Sequence, residues 1–175
     1  MEMKDTRRIA AEPALVWQAL LDPAVLQAAV PGCEELTGSA EEGFAAVVVQ
    51  KVGPVKARFQ GAVSISERVE GESLYLSGEG KGGAAGFAKG GARVRLEPDG
   101  DGTLLHYEVD AKVGGKLAQL GSRIIDGFAR KMADQFFDRF QQAVEGPGEA
   151  ESEDTAEAET DDGDKKGWFR KMIKR

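Results

Sequence analysis

The sequence predicts an α+β domain in which a curved antiparallel β-sheet wraps around one long C-terminal helix, with two short helices after the first strand. Two helix starts stand near the N-terminus, alternating strand patterns fill the middle, and one long amphipathic stretch follows them. Short connections between successive strands favour antiparallel pairing. Together these observations predict a sheet with one face covered by the final helix.

The two short helices are predicted from proline-marked starts. After a short first segment, Glu12-Pro13 opens a helix that runs through Leu21, because proline is tolerated in a first helical turn. Asp22-Pro23 starts a second helix, in which the aspartate can cap free backbone N–H groups. This helix is expected to end near Val30-Pro31-Gly32.

Five later strands are predicted because apolar and polar residues alternate between turn signals. They run from Phe44 to Val52, Val55 to Glu67, Ser73 to Gly80, Gly86 to Glu97 and Thr103 to Val113. In the second of these strands, Phe59 and Val63 share one face, whereas Arg58 and Ser64 take the other. One face of the sheet is therefore expected to be covered, and the other to meet water.

The covering element is the final helix, predicted from about Lys116 to Val144. Its apolar residues recur near one side at helical spacing; they are Leu117, Leu120, Ile124, Phe128, Met132, Phe136 and Phe140. Because repeated steps of four residues overshoot a 3.6-residue turn, this apolar stripe drifts around the helix. A curved sheet gripping the helix accommodates that drift.

Two segments of opposite charge follow the helix. Residues 145–164 hold ten acidic residues and no basic one, and residues 165–175 hold six basic residues and no acidic one. The acidic segment is too polar to offset the entropy lost on folding, so it is predicted to be a disordered linker. The preceding domain, residues 1–144, keeps a net charge of −3 once these ten acidic and six basic residues are taken from the total of −7.

The basic segment is predicted to be an amphipathic helix that lies on an anionic membrane surface. At about 100° per residue, its apolar side chains fall on one arc and its basic side chains lie opposite. The predicted membrane-binding residues are Lys165, Lys166, Trp168, Phe169, Arg170, Lys171, Met172, Ile173, Lys174 and Arg175. Each basic residue contributes about 1 kcal/mol near such a surface, which predicts modest, reversible binding. A partner-protein groove and a merely solubilising terminus are the alternatives.

Composition and charge argue against several function classes. A weakly acidic domain has no basic surface for nucleic acid, and one cysteine permits no internal disulfide. The N-terminus has no hydrophobic signal region, and no stretch approaches the roughly 18 apolar residues of a spanning helix. We therefore expect a cytoplasmic protein.

A glycine-rich segment, Gly78 to Gly91, contains seven glycines. Its first six residues match a dinucleotide-binding pattern by letter, but the following residues alternate like a strand instead of opening a helix. Nucleotide binding is therefore not predicted. The segment is interpreted as a flexible hairpin that serves as a cavity portal or docking loop, with simple backbone close approach as the alternative.

Candidate catalytic residues are few. His106 is the only histidine and falls on the predicted wet face, without partners for a metal site or nucleophilic catalysis. Cys33 follows a Pro-Gly turn, and no base is predicted beside it, so a structural cysteine is favoured. No pair of carboxylates is placed together by periodicity. The sequence thus predicts neither an enzyme nor a metal site.

Four sequence strings carry a resemblance to a known family. They are Asp22-Pro23 through Pro31-Gly32-Cys33-Glu34, Val52 to Gly61, Gly78 to Gly90, and Val113 to Arg123. Over nearly all of residues 1–144 the chain resembles the CoxG family of carbon monoxide dehydrogenase subunits. That family belongs to the helix-grip superfamily, with polyketide cyclases, plant pollen allergens and lipid-transfer domains, whose members enclose an apolar cavity between sheet and helix. The resemblance thus implies a helix-grip fold with such a cavity.

The resemblance also implies a function. It implies a non-catalytic role beside a carbon monoxide dehydrogenase-type molybdenum hydroxylase, which the chain recruits to the inner face of the cytoplasmic membrane. It implies an apolar cavity ligand, a menaquinone-like respiratory quinone or a lipid, and no covalent cofactor. A ligand-free assembly factor and a polyketide cyclase-like enzyme are the alternatives.

Eight residues are assigned to the cavity wall or its gate. They are Phe59, Leu76, Phe87, Tyr107, Leu120, Ile124, Phe128 and Met132. Phe59 lies on the predicted inner face beside Gly61, and Phe87 lies in the middle of the glycine-rich segment. The Tyr107 hydroxyl is able to bond a ligand carbonyl. Ordinary core packing is the alternative for each residue.

Overall fold

Seven strands form one curved antiparallel sheet in the computed structural model, which describes residues 1–146. The elements of that range, in chain order, are β1 (Glu2–Ile9), α1 (Pro13–Leu20), α2 (Pro23–Ala29), β2 (Cys33–Ser39), β3 (Gly43–Val52), β4 (Val55–Val69), β5 (Ser73–Lys81), a 3₁₀ turn (Gly83–Ala85), β6 (Phe87–Asp99), β7 (Gly102–Gly114), α3 (Lys116–Gln119) and α4 (Ser122–Glu145). The order across the sheet is β1-β7-β6-β5-β4-β3-β2. The predicted α+β fold, with short helices after the first strand and a long helix at the end, is confirmed.

The chain divides into two units, Met1–Phe140 and Gln141–Arg175. Of the second unit, the structure describes residues 141–146. Most of the predicted linker at 145–164 and the whole predicted membrane helix at 165–175 therefore lie outside the described residues.

Strong alternation explains why β3 to β7 begin and end within two residues of their predicted bounds. Each pairs with its neighbour in the chain, as hairpin connections require. β1 returns to pair with β7, where the N-terminal ammonium group donates to the Ala111 carbonyl at 3.0 Å. No strand was predicted at β2, an edge strand whose only large apolar residue is Leu36.

The proline-marked helices form as predicted, and both are tied down locally. The Asp22 carboxylate accepts from the backbone N–H of Ala24 at 2.9 Å, which caps α2. In α1, Trp17 is buried, and its indole N–H donates to Glu70 Oε2 at 2.8 Å. This bond links α1 to the turn that follows β4.

The final helix is not continuous, and the prediction of one helix from Lys116 to Val144 was wrong at Gly121. This glycine has a φ of +89°, in the left-handed region that interrupts a right-handed helix. α3 therefore ends before it, and α4 starts after it with a new rotational phase. As a result Ile125, instead of its neighbour Ile124, is buried, where it packs with Val52 and Leu117.

The C-terminal half of α4 carries an aromatic cluster that packs against the sheet. Phe140 is fully buried, and the Tyr107 ring stacks on Phe137 with centroids 5.0 Å apart. Phe136 completes the cluster through its stacking on Phe140 at 5.7 Å. Clusters of this kind combine a large apolar contact area with preferred ring geometries. The cluster therefore fixes one half of α4 firmly on the sheet.

Candidate ligand-binding cavity

A cavity of about 630 Å³ lies between the inner face of the sheet and α4. α4 makes few close backbone approaches to the sheet, because large aromatic side chains stand between them. Small residues face the space opposite these side chains; they include Ala46, Gly61, Ala88, Ala92, Ala129 and Ala133. The interior stays open because the large residues set the spacing while the small ones leave volume unfilled.

The lining is almost entirely apolar. Among the described residues that line it, only Cys33, Gln50 and Tyr107 carry a side-chain S–H, N–H or O–H group. The remaining wall comes from aliphatic, aromatic, methionine, glycine and proline residues of β1 to β7, α1 to α4 and the turns beside them. Small-molecule sites are typically apolar with a few placed polar groups, and the cavity has this composition.

Tyr107 presents a neutral phenol at this wall. Its side chain is buried, and burial is the main cause that raises the pKa of Tyr107 above its ordinary value; the nearby Asp5 acts in the same direction and Arg7 opposes them. Phe137 stacks on the ring, and the Arg7 guanidinium lies 5.3 Å from the Phe137 centroid. The hydroxyl therefore keeps its proton at neutral pH and can donate it in a hydrogen bond.

Cys33 also remains protonated. Burial raises the pKa of its thiol, while a hydrogen bond to the backbone at Glu35 lowers it by a smaller amount. The sulfur lies 3.4 Å from the Glu35 carbonyl oxygen, to which the thiol donates. The cysteine thus contributes polarizable surface to the wall, and its weakly nucleophilic thiol form predominates at neutral pH.

Five of the eight predicted residues line the cavity, namely Phe59, Leu76, Tyr107, Phe128 and Met132. The other three, Phe87, Leu120 and Ile124, lie outside its lining. Contact of the first five with a ligand stays a prediction. For the other three, the structure corrects the expected position.

Phe87 lies on the wet face because of strand parity in β6. Ala88, Ala92 and Val94 point inward, so Phe87 points outward, where it is 42% exposed. Its ring covers Gly114, at which an added Cβ would lie 2.3 Å from the ring. The glycine-rich segment around it forms the paired ends of β5 and β6 with a short 3₁₀ turn between them.

Leu120 and Ile124 lie near the β3–β4 turn instead of the cavity. An added Cβ at Gly53 would lie 3.6 Å from Ile124 Cγ2 and 3.9 Å from Leu120 Cδ1. Ile124 is 41% exposed, since the restart of the helix at Ser122 turns Ile125 inward. The two residues thus form an apolar surface beside the turn.

Gln50 and the small residues of the wall were not among the predicted site residues. Gln50 falls on the inner side of β3 by the same parity as Phe44 and Val52, so alternation alone would have found it. The alternating alanines and glycines of β6 and β7 also carried a readable signal, because small residues at inward positions leave space. The residues contributed by α2, such as Leu26, had no such local signal.

A larger and more open groove, of about 1050 Å³, lies on the wet face of the sheet. Its lining is mixed and charged, with Glu79, Lys89, Asp110 and Lys112 among its residues. Apolar molecules gain little in such a groove, because the solvated charges around it offer no apolar surface. The cavity under α4 is therefore the better candidate site despite its smaller volume.

Other candidate chemistry is placed on the surface. His106 bonds Thr6 through Nδ1 and Glu97 through Nε2, each at 2.9 Å. Within residues 1–146 there is no group of three or more side chains suited to hold a metal ion. In the same range, no helix has both the length and the apolar character needed to cross a membrane.

A family model for the carbon monoxide dehydrogenase component CoxG matches residues 6–145. The chain belongs to the CoxG family. No curated protein matches it in sequence. Membership in the CoxG family, together with the fold, indicates a non-catalytic, ligand-binding accessory protein.

Solved structures place this CoxG family member in the helix-grip fold. A conserved protein from Geobacillus kaustophilus is similar with a TM-score of 0.78 and 25% identity over 83% of this chain and 95% of that one. A START superfamily protein from Mycobacterium smegmatis has a TM-score of 0.62 and 17% identity over 82% and 97%. A protein from Rhizobium leguminosarum has a TM-score of 0.65 and 14% identity over 83% and 94%. The predicted helix-grip fold is confirmed.

Proposed function

We propose that the chain is an accessory protein of a carbon monoxide dehydrogenase-type molybdenum hydroxylase, which binds a respiratory quinone and delivers it as electron acceptor. The observation that carries this proposal is the cavity of about 630 Å³ under α4, with its nearly unbroken apolar lining. Its volume falls within the range of about 300–1,000 Å³ that is typical of small-molecule sites. Membership in the CoxG family supports the choice of partner.

The lining suits a quinone in two respects. Apolar side chains accommodate the ring and part of an isoprenoid chain, since burial of apolar surface contributes about 25 cal/mol per Å². This term favours any apolar molecule, so selection among molecules depends on the polar groups. The protonated Tyr107 hydroxyl is a donor for a quinone carbonyl, which a saturated lipid chain lacks. The bound quinone would accept two electrons and two protons, which the dehydrogenase supplies.

Membrane recruitment is proposed for residues 165–175 from their sequence. Six basic residues and four apolar ones on opposite arcs favour binding to anionic lipid on the inner face of the cytoplasmic membrane. Quinones dissolve in the bilayer, so a reversible anchor brings the cavity to their source. Weak binding suits a carrier because it must also leave the membrane.

The alternatives receive less support from the cavity. A ligand-free assembly factor has no need for a large apolar void, which loses packing contacts along its walls. A cyclase needs an acid and a base beside its substrate. The described residues of the lining offer a phenol, a thiol and an amide, and no carboxylate or imidazole. Binding therefore fits the lining better than acid–base catalysis does.

A variant that fills the cavity tests the binding half of the proposal. Ala129 lines the cavity from α4, and Ala118 is exposed on α3. Titration of the full chain with 2-decyl-1,4-naphthoquinone is expected to show binding that Ala129→Phe weakens by about tenfold or more, or some 1.4 kcal/mol. Ala118→Phe adds the same ring outside the cavity and should bind like the unsubstituted protein. Absence of binding in the unsubstituted protein, or equal binding in Ala129→Phe, would contradict the proposal.

The delivery half is tested with the dehydrogenase itself. Carbon monoxide-dependent reduction of quinone in vesicles should be faster when the full chain is added, and Ala129→Phe should remove the increase. If both proteins raise the rate equally, the cavity has no part in delivery.

A further inference from the structure

We propose that Gln50 is a hydrogen-bonding subsite of the cavity, which receives a carbonyl oxygen of the ligand headgroup. Gln50 lies on the inner side of β3, where its half-buried side chain lines the cavity. The inference rests on the proposed function, because it assigns a recognition group for the proposed quinone. It also gives a role to the Pro31-Gly32-Cys33 turn.

The turn holds the Gln50 amide in place. One N–H of the amide donates to the Pro31 carbonyl oxygen. The turn is fixed to β3 by a second bond, from the backbone N–H of Val49 to the Gly32 carbonyl at 2.9 Å. The Gln50 side chain is therefore oriented by the backbone before any ligand enters, which lowers the entropy cost of binding.

The close approach of the turn to β3 depends on Gly32. Its φ is +75°, and an added Cβ would lie 2.2 Å from the Val49 carbonyl oxygen and 3.0 Å from Gln50 Nε2. A side chain at this position would push the turn off the strand. The glycine thus permits the contact that orients the amide.

A β-bulge on the neighbouring strand completes the corner. The register between β2 and β3 shifts between Cys33 and Glu35, which is the mark of a bulge. The Cys33 side chain lines the cavity here, but its thiol donates to the Glu35 carbonyl. Gln50 is therefore the stronger hydrogen-bonding group of this corner.

The amide has bonding capacity left for a ligand. A glutamine side chain offers two N–H donors and one carbonyl oxygen, and Pro31 takes one donor. Its other neighbours in the wall are mostly apolar, and a buried polar group without a partner is costly. The free N–H is directed by the turn and suited to a carbonyl oxygen of the headgroup.

Gln50 and Tyr107 lie on different walls of the cavity. β4, β5 and β6 separate β3, which carries Gln50, from β7, which carries Tyr107. A 1,4-quinone carries its two carbonyl oxygens on opposite edges of the ring. Donors on two different walls suit such a ring better than two adjacent donors would.

Two probes and two variants test the subsite. The probes are 2-decyl-1,4-naphthoquinone and 2-decylnaphthalene, which share a skeleton and differ in the carbonyl groups. Gln50→Leu should weaken binding of the quinone by about three- to tenfold, the effect of one hydrogen bond, and leave binding of the hydrocarbon equal or tighter. The matched control is Gln60→Leu on the exposed face of β4, which should bind both probes like the unsubstituted protein.

The outcomes separate this inference from the proposed function. If the unsubstituted protein binds the quinone and Gln50→Leu binds it equally well, or weakens both probes alike, the subsite is overturned and the proposed function stands. If the unsubstituted protein binds neither probe, both fail.

A measurement on the unsubstituted protein covers the case in which Gln50→Leu does not fold. In ¹⁵N-labelled protein, the side-chain amide resonance of Gln50 should shift on addition of the quinone and stay nearly unchanged with the hydrocarbon. The same response to both probes would overturn the subsite.

Discussion

At the residue scale, burial controls the chemistry of the few polar side chains in the cavity. It raises the pKa of both Tyr107 and Cys33, so that each keeps its proton at neutral pH. A protonated phenol donates to a carbonyl, and a protonated thiol adds poorly to a quinone ring. Both effects favour reversible, non-covalent binding, as a carrier requires.

The reactivity of Cys33 should reveal its raised pKa. Because the thiolate is the reactive form, alkylation by iodoacetamide should be slow at neutral pH and rise with pH, with a midpoint above the value of about 8.5 for a free cysteine. Cys33 is the only cysteine, so mass spectrometry measures it without interference. The denatured protein is the control, and a midpoint equal to that of the denatured protein would contradict the assignment.

The buried aromatic cluster should carry much of the stability of α4. Phe140→Ala removes a fully buried ring and should lower the free energy of unfolding by about 3–5 kcal/mol. Phe87→Ala removes a ring that is 42% exposed and should cost clearly less. Urea denaturation measures both, and equal losses would show that the two rings are packed alike.

Site residues were predictable wherever strand parity was clear. Phe59 and Tyr107 were placed correctly on the inner face because their strands alternate without interruption. Phe87 was misplaced although parity was readable, since Val94 and Leu96 already set the inner face of β6 as its even-numbered positions. The density of glycines drew attention to the segment and away from its register.

At the element scale, a single glycine divides the C-terminal helical region. Gly121 has a positive φ, so α3 and α4 are separate helices, and α4 turns Ile125 toward the core. Apolar spacing continues across this point in the sequence, and a backbone angle is not written in such a pattern. β2 was missed for a different reason, because an edge strand with one large apolar residue and a bulge gives little alternation.

Two glycine substitutions should have opposite effects. Gly121→Ala places a side chain in a left-handed conformation and should lower the free energy of unfolding by about 1–2 kcal/mol. Gly127→Ala lies within α4 with open space around it and should raise that energy by about 0.5–1 kcal/mol. Urea denaturation of both variants gives the comparison, and changes of the same sign would contradict the assigned break.

The basic segment should bind anionic membranes on its own terms. In flotation with vesicles that contain phosphatidylglycerol, the full chain should float, and a protein that ends at Glu145 should remain at the bottom. Binding should weaken with added salt, because exposed charges are screened within about 10 Å at 0.1 M ionic strength. Flotation of the shortened protein would show that the membrane contact lies elsewhere.

At the scale of the whole molecule, spacing between the sheet and α4 links the fold to the proposed function. Large side chains near the end of α4 fix the helix, and small side chains along its middle leave the cavity open. Composition and periodicity predicted the fold class and the covered face. The volume of the cavity was not predictable, because it depends on how residues distant in the chain face one another.

The most direct test of quinone carriage is solvent extraction of the full chain, purified from cells that make respiratory quinones, followed by mass spectrometry of the extract. We predict quinone in near-stoichiometric amount with the unsubstituted protein and little with Ala129→Phe. Extraction of no quinone from the unsubstituted protein, together with no binding of added quinone, would contradict the proposed carrier role.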